Sequence, residues 1–263
     1  MILELDVKGP KVYLELPFDL PDSSIFTMKN LITQTTVSIF AVTVILIVIA
    51  IIATRSLTRR PGRLQVVTEK LVNMLYGLVE GTMGKHNLKF APYIGTIFLS
   101  SIIGTLIGMT QLFRSTTADL SVTAAWALVT TGMVWYNNIK NFGFLSWLKG
   151  FTEPIVVMTP MNIVSEIANP ISMAFRHFGN VAGGSVLTAL IYGALSAASS
   201  ALFSFIPGII GEIPFLAAGI PAVLSVYFDL FSGFVQALVF SLLTMIYVGA
   251  ACPPPEELLE KKR

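Results

Sequence analysis

The chain is short of charge. Only 12% of its 263 residues are Asp, Glu, Lys or Arg, roughly half the ~25% of an average soluble domain. One cysteine, Cys252, excludes a disulfide framework and any metal site built from several cysteines. No G-x-x-x-x-G-K-[ST], H-E-x-x-H or G-x-S-x-G occurs, so nothing points to nucleotide, zinc or acyl chemistry. No cofactor and no nucleic-acid partner are expected. The first residues, MILELDVKGPKVYLELPFDLPDSS, mix acids with bases and contain no apolar h-region, so they do not read as a cleaved signal peptide.

What the chain has instead is apolar length. It is 54% hydrophobic with a mean hydropathy of +0.76, and runs near 20 residues recur, enough to cross about 30 Å of hydrocarbon as a helix. The fold class is therefore all-α: one polytopic membrane domain over residues 1–263. Five crossings are expected, at Gln34–Thr54, Ala91–Leu112, Leu120–Ile139 and within two long segments near Ile163–Ser199 and Pro221–Ala251. Residues 64–90 repeat apolar positions at helical spacing with Glu69, Lys70 and Glu80 between, the pattern of an amphipathic helix on a membrane surface. Twelve of the 17 basic residues fall at 55–89, 140–149 and the C-terminal end. The positive-inside rule puts those segments in the cytoplasm and residues 1–32 outside, as an N-terminal arm. The two long segments, together 163–251, exceed what a bilayer needs, so strong inclination is expected of them. FIPGIIGEIPFLAAGIP, with Glu212, is the expected outside loop between them.

Between Lys149 and Lys261 the only permanent cation is Arg176, in ISMAFRHFGN. A charge at membrane depth costs at least ~2.5 kcal/mol and is functional by default. Asn169, Ser172, Arg176, Asn180 and Gly183 share one face of a helix. In the last segment Ser225, Asp229, Ser232 and Gln236 recur at helical spacing. Two polar stripes fit an ion pathway, with Asp229 and Glu166 as its carboxylates. Plainer alternatives stand beside this one. Arg176 and Asp229 form a structural ion pair; Asn180 and Gln236 bond between helices; Glu166 is a solvated helix-end acid. His177, a neighbour of Arg176 that faces elsewhere, reads as a packing residue, Gly179, Gly183 and Gly184 as close-packing sites, Asp119 as a helix cap and Cys252 as incidental.

PISMAFRHFGN preceded by NIVSE, then TADLSVT, TIFLSSIIGTLIGM and FDLFSGFVQALVFSLLTMIYV, resembles subunit a of the F-type ATP synthase, over most of the chain. The resemblance implies a non-catalytic stator subunit in a bacterial-type plasma membrane, N-terminus outside and C-terminus cytoplasmic. Its implied partners are the c-subunit ring and the peripheral-stalk b subunits. Arg176 would meet each ring carboxylate in turn, and two aqueous half-channels would carry H⁺ or Na⁺ to and from it. Asn180, Gln236, Asp229 and Ser185 belong with access from outside, Glu166, Asn169 and Ser172 with access from inside. Four positions depart from the family's pattern: His177 stands where leucine is usual, Ser185 where some relatives have an acid, Thr105 where asparagine is usual, and Ser165 where many have a second acid. Two other functions remain to be weighed. A self-sufficient channel or secondary transporter commonly shows internal repeats, and none is evident; a purely structural anchor would tolerate Arg176→Leu.

Overall fold

In the computed structural model, residues 12–15, 30–55, 57–59, 61–110, 113–153, 155–203 and 226–256 are described. The loop with Glu212, Ser225 and the basic tail lie outside these residues. So does most of the N-terminal arm, of which two short strands are seen: β1 (Val12–Glu15) and β2 (Asn30–Thr33). They pair antiparallel, with Val12 opposite Thr33 and Glu15 opposite Asn30, an addition to the all-α expectation.

Everything else regular is helical. The helices are α1 (Gln34–Arg55), α2 (Arg63–Met83), α3 (Ala91–Met109), α4 (Leu120–Phe142), α5 (Phe144–Gly150), α6 (Thr159–Phe203) and α7 (Gly233–Ala250). A π-helical segment, Val226–Ser232, leads into α7. α1 is rich in Val and Ile, residues that favour strands in water. Within hydrocarbon, though, only a helix pairs every backbone group inside its own segment. Among the described residues, four stretches are long and apolar enough to cross a membrane: Gln34–Arg55, Lys85–Met109, Val156–Ser199 and Leu230–Ala250. α4 is long enough at 23 residues, but Thr130, Thr131, Asn137, Asn138, Lys140 and Asn141 dilute its apolar run.

Two expectations change, and the first long segment is longer than expected. The amphipathic helix ends at Met83 and not at residue 90, because Gly84 adopts φ +81°, a left-handed conformation that suits glycine and breaks the helix; Lys85–Phe90 continue as a 3₁₀ turn. The first long segment runs 45 residues without a break at Pro170, about 67 Å at 1.5 Å per residue. Pro170 still removes one backbone donor, the one that the Glu166 carbonyl would otherwise receive. The last segment does not keep α-helical spacing. Over Val226–Ser232 the bonds close i→i+5, so these seven residues do not keep the α-helical spacing assumed for them.

Contacts divide the chain into two compact units. The first comprises Met1–Val42, Ile102–Asp119 and Phe178–Val235. In it, Thr105 is buried and its methyl fills the space where a Cβ at Gly233 would lie, 2.6 Å away. Glycine is the residue that lets α3 and α7 approach so closely there.

The second unit comprises Thr43–Ser101, Leu120–His177 and Gln236–Arg263. Its core has two clusters. Val79, Met83, Ala91, Ile94, Met245 and Val248 join α2, α3 and α7, and Ile97, Ala127, Met173, Ala174 and Phe240 join α3, α4, α6 and α7. Lipid is as apolar as these side chains, so their cohesion rests on close van der Waals contact and interhelical hydrogen bonds. Tyr93 and Thr130 make one such bond, at 3.1 Å. At the end of α7, three proline residues follow Cys252 and cannot continue a helix. The carbonyls left there are met by side chains: Asn87 Nδ2 and His86 Nε2 lie 2.8 Å from the Cys252 carbonyl, and Asn141 Nδ2 donates to the Ala251 carbonyl at 2.9 Å. Asn87 also donates to the Met83 carbonyl at 3.0 Å and is buried. Asn87→Ala takes the side-chain donor from the Met83 carbonyl and one of two partners from the Cys252 carbonyl, and a loss of about 1–3 kcal/mol is expected, read as a lower midpoint in denaturant titration of the detergent-solubilised protein.

Candidate functional site

α6 has two sharply different faces. Met173, Ala174, His177, Val181 and Gly184 are buried, whereas Ser172, Arg176, Gly179, Asn180 and Gly183 are exposed. The two sets interleave at three- and four-residue steps because 3.6 residues make a turn. These five are small or polar, while Ile171 and Phe175, also exposed, lie on another face of the helix. A Cβ at Gly179 or Gly183 would find no atom of the described residues within 4 Å, so these two glycines are not close-packing sites within the chain. They flank Asn180 on the exposed face, beyond Arg176 toward the C-terminal end of the helix.

Arg176 lies seventeen residues beyond Thr159 in a 45-residue helix, about 26 Å along the axis, too deep to snorkel to the near end. Among the described residues it makes no ion pair with any carboxylate, unlike Lys85, which pairs with Glu80 at 3.5 Å. An exposed guanidinium on a bare helix face cannot rest against lipid without a cost of at least ~2.5 kcal/mol. This face therefore needs water or another polypeptide against it.

The other expected residues fall in different surroundings. Gln236 is buried on α7. Ser185 is exposed, and its hydroxyl donates to the Ala182 carbonyl at 2.8 Å. Asp229 lies within the π-helical segment. Glu166 and Asn169 are half-buried and line a cleft of about 200 Å³ with Thr130, Thr131, Asn138 and Tyr247. That is room for several waters at ~30 Å³ each. A larger cleft of about 800 Å³, lined by Asn141, Ser146, Lys149, Glu153, Asn162 and Ser165, has Val134, Asn138 and Glu166 in common with the first. Glu166 thus lines both clefts. Its carboxylate accepts a hydrogen bond from the Trp135 indole Nε1 at 2.5 Å. Ser172, one turn beyond Asn169, is on the exposed face and outside the cleft lining.

Sequence reasoning missed α4's part in this cleft. Thr130 and Thr131 lie seven to eight residues before Asn138, about two turns, and Asn141, three residues further on, lines the larger cleft. A third polar stripe was readable there beside the two on α6 and the last segment. Asp119, read as a cap, directly precedes α4 with the extended backbone (φ −118°, ψ 120°) that N-cap residues adopt.

A model of the family described as "ATP synthase A chain" matches residues 36–249. The chain belongs to the ATP synthase subunit a family. It is 31% identical over 276 residues to "ATP synthase subunit a, sodium ion specific" of Propionigenium modestum, covering 96% of this chain and 88% of that one. It is also 31% identical to "ATP synthase subunit a" of Anoxybacillus flavithermus and of Bacillus subtilis, each match covering 85% of this chain and 91% of the relative. The protein is accordingly a multi-pass helical membrane protein, and its function is ion translocation as the stator subunit of the Fo sector.

The clefts lend themselves to a direct check. In a Cys252→Ser background, Asn138→Cys and Asn169→Cys are expected to react with a small water-soluble maleimide in membrane vesicles. Ala127→Cys, at a position only 1% exposed in the core, is expected to stay unlabelled.

Proposed function

We propose that Arg176 is the fixed charge past which the carboxylates of a c-subunit ring travel, and that two aqueous half-channels of this chain carry the coupling ion to and from it. The observation that carries this reading is the exposed Arg176, deep in its helix and without a carboxylate partner among the described residues, on a lane kept open by Gly179 and Gly183. A structural ion pair with a carboxylate of the described residues would have buried and neutralised it.

The chemistry follows from burial. A carboxylate moving through lipid travels neutral, because exposing it ionised costs too much. Beside Arg176 the ionised form is favoured, since an opposite charge stabilises it. The ion then leaves by one half-channel, and the carboxylate is refilled from the other. A guanidinium stays charged throughout, where a buried lysine could lose its proton, and its charge repels a cation slipping directly between the channels. Each elementary charge crossing yields ~2.3 kcal/mol per 100 mV, so several crossings must be summed for one ATP, which rotation accomplishes.

Inside access runs through the clefts at Glu166 and Asn169 and on to Ser172; outside access runs by Asn180, Ser185, Asp229 and Gln236. The topology that goes with this has five crossings, α4 included. Residues 1–32 are then outside, residues 64–90 on the cytoplasmic surface, the strongly inclined 163–251 pair forms the channel, and the C-terminus is cytoplasmic in a plasma membrane. Peripheral-stalk b subunits complete the stator. The chain itself performs no bond chemistry. A likeness to a relative named sodium ion specific makes Na⁺ a candidate beside H⁺.

ATP-driven ion uptake by inverted vesicles carrying the whole complex tests the proposal. Arg176→Ala is expected to lower uptake by about tenfold or more with the complex still assembled, and undiminished uptake would overturn the reading. Na⁺ dependence that survives an uncoupler identifies sodium, and its absence identifies the proton. Asp229→Asn is expected to slow ion-driven synthesis; near-normal rates would remove Asp229 from the path.

A further inference from the structure

Directly behind Arg176 in the chain lies His177, wholly buried in the second unit. Its Nε2 is 2.9 Å from the hydroxyl oxygen of Ser101 on α3, itself wholly buried. The imidazole stands edge-on to Phe240 of α7, with centroids 5.2 Å apart at 89°, and to Trp126 of α4, 6.0 Å apart at 84°. Met173 and Ala174, one turn earlier on the same face, pack among Ile97, Ala127 and Phe240.

We infer that the Ser101–His177 hydrogen bond is the register lock of α6, the contact that sets the rotation and axial position at which Arg176 faces outward. The argument starts from what apolar packing does not specify. A long helix laid against smooth side chains and alanines gains van der Waals contact at many neighbouring settings, and lipid adds no preference among them. A hydrogen bond is directional and short, and here both partners are cut off from water, so a slip that parts them leaves the buried His177 Nε2 without that partner. Successive residues are turned by about 100°. A one-residue slip that brought Arg176 or Phe178 to the place of His177 would therefore swing the guanidinium off the exposed lane or drive it toward the core. The rings of Trp126 and Phe240 close on the imidazole from two other helices, so α3, α4 and α7 all bear on this one side chain. His177 is a positioning residue on this account, acting through Arg176 and not on the ion.

The inference rests on the proposed role of Arg176, and its test separates the two. The whole complex in inverted vesicles is assayed for ions pumped per ATP hydrolysed, normalised to assembled complex, alongside passive ion leak through the membrane sector. Loss of a merely structural contact lowers the amount of complex and leaves that ratio unchanged. Mis-set Arg176 lowers the ratio itself and raises the leak. His177→Leu and Ser101→Ala are each expected to lower the ratio by about tenfold, and the double variant to be no worse than either single one. His177→Gln, whose amide nitrogen reaches the position of Nε2, is expected to stay close to the unaltered protein. Should His177→Leu fail to assemble, Ser101→Ala and His177→Gln decide the matter by the same ratio. Wild-type ratios in Ser101→Ala, losses that multiply in the double variant, or a His177→Gln as impaired as His177→Leu would each overturn the lock. Arg176→Ala in the same assay keeps the outcomes apart: if it pumps normally, the role of Arg176 falls, whereas if it fails while Ser101→Ala pumps normally, only the lock falls.

Discussion

The constraint on which the rest depends is that a guanidinium exposed on a membrane helix cannot face hydrocarbon. Everything around Arg176 answers to that cost. The lane it occupies is built of serine, glycine and asparagine, residues too small or too polar to seal against lipid. The opposite side of the same helix is given over to Met173, Ala174 and His177, which hold it against α3, α4 and α7. A helix of 45 residues is unusually long for a bilayer, and that length offers a partner an extended line of approach in place of a single crossing point.

Membrane cohesion explains why polar pairs recur in a chain so apolar. Without a hydrophobic drive between helices, directional contacts do the specifying: Ser101 with His177, Tyr93 with Thr130, and the asparagines that meet the carbonyls at the end of α7. The single cysteine takes part through its backbone, as the carbonyl that Asn87 and His86 approach, and its thiol meets the Asn141 side chain. A different device serves Thr105 and Gly233, where a methyl against a missing Cβ brings two helices close.

Glu166 shows how one side chain can belong to a path and to the scaffold together. It lines two neighbouring clefts, while Trp135 holds its carboxylate from α4. Pro170 strips a backbone donor from the Glu166 carbonyl, so the helix wall beside the cleft is more polar than its side chains alone make it.

Much of this was legible in the order of residues. Twenty-residue apolar runs declare membrane helices because only a helix satisfies its own backbone in lipid, and a lone arginine in such a run declares a site because its burial is costly. Composition and motif together were enough for the family. Other features depended on contacts between segments far apart in the chain. A π-helical turn at Val226–Ser232, a stop at Gly84, glycines that open a lane where close packing was expected, and a histidine locked to Ser101 across 76 positions leave no periodic trace. Periodicity records which face of one helix is apolar. Tertiary structure decides what that face meets, and so how far each helix turns.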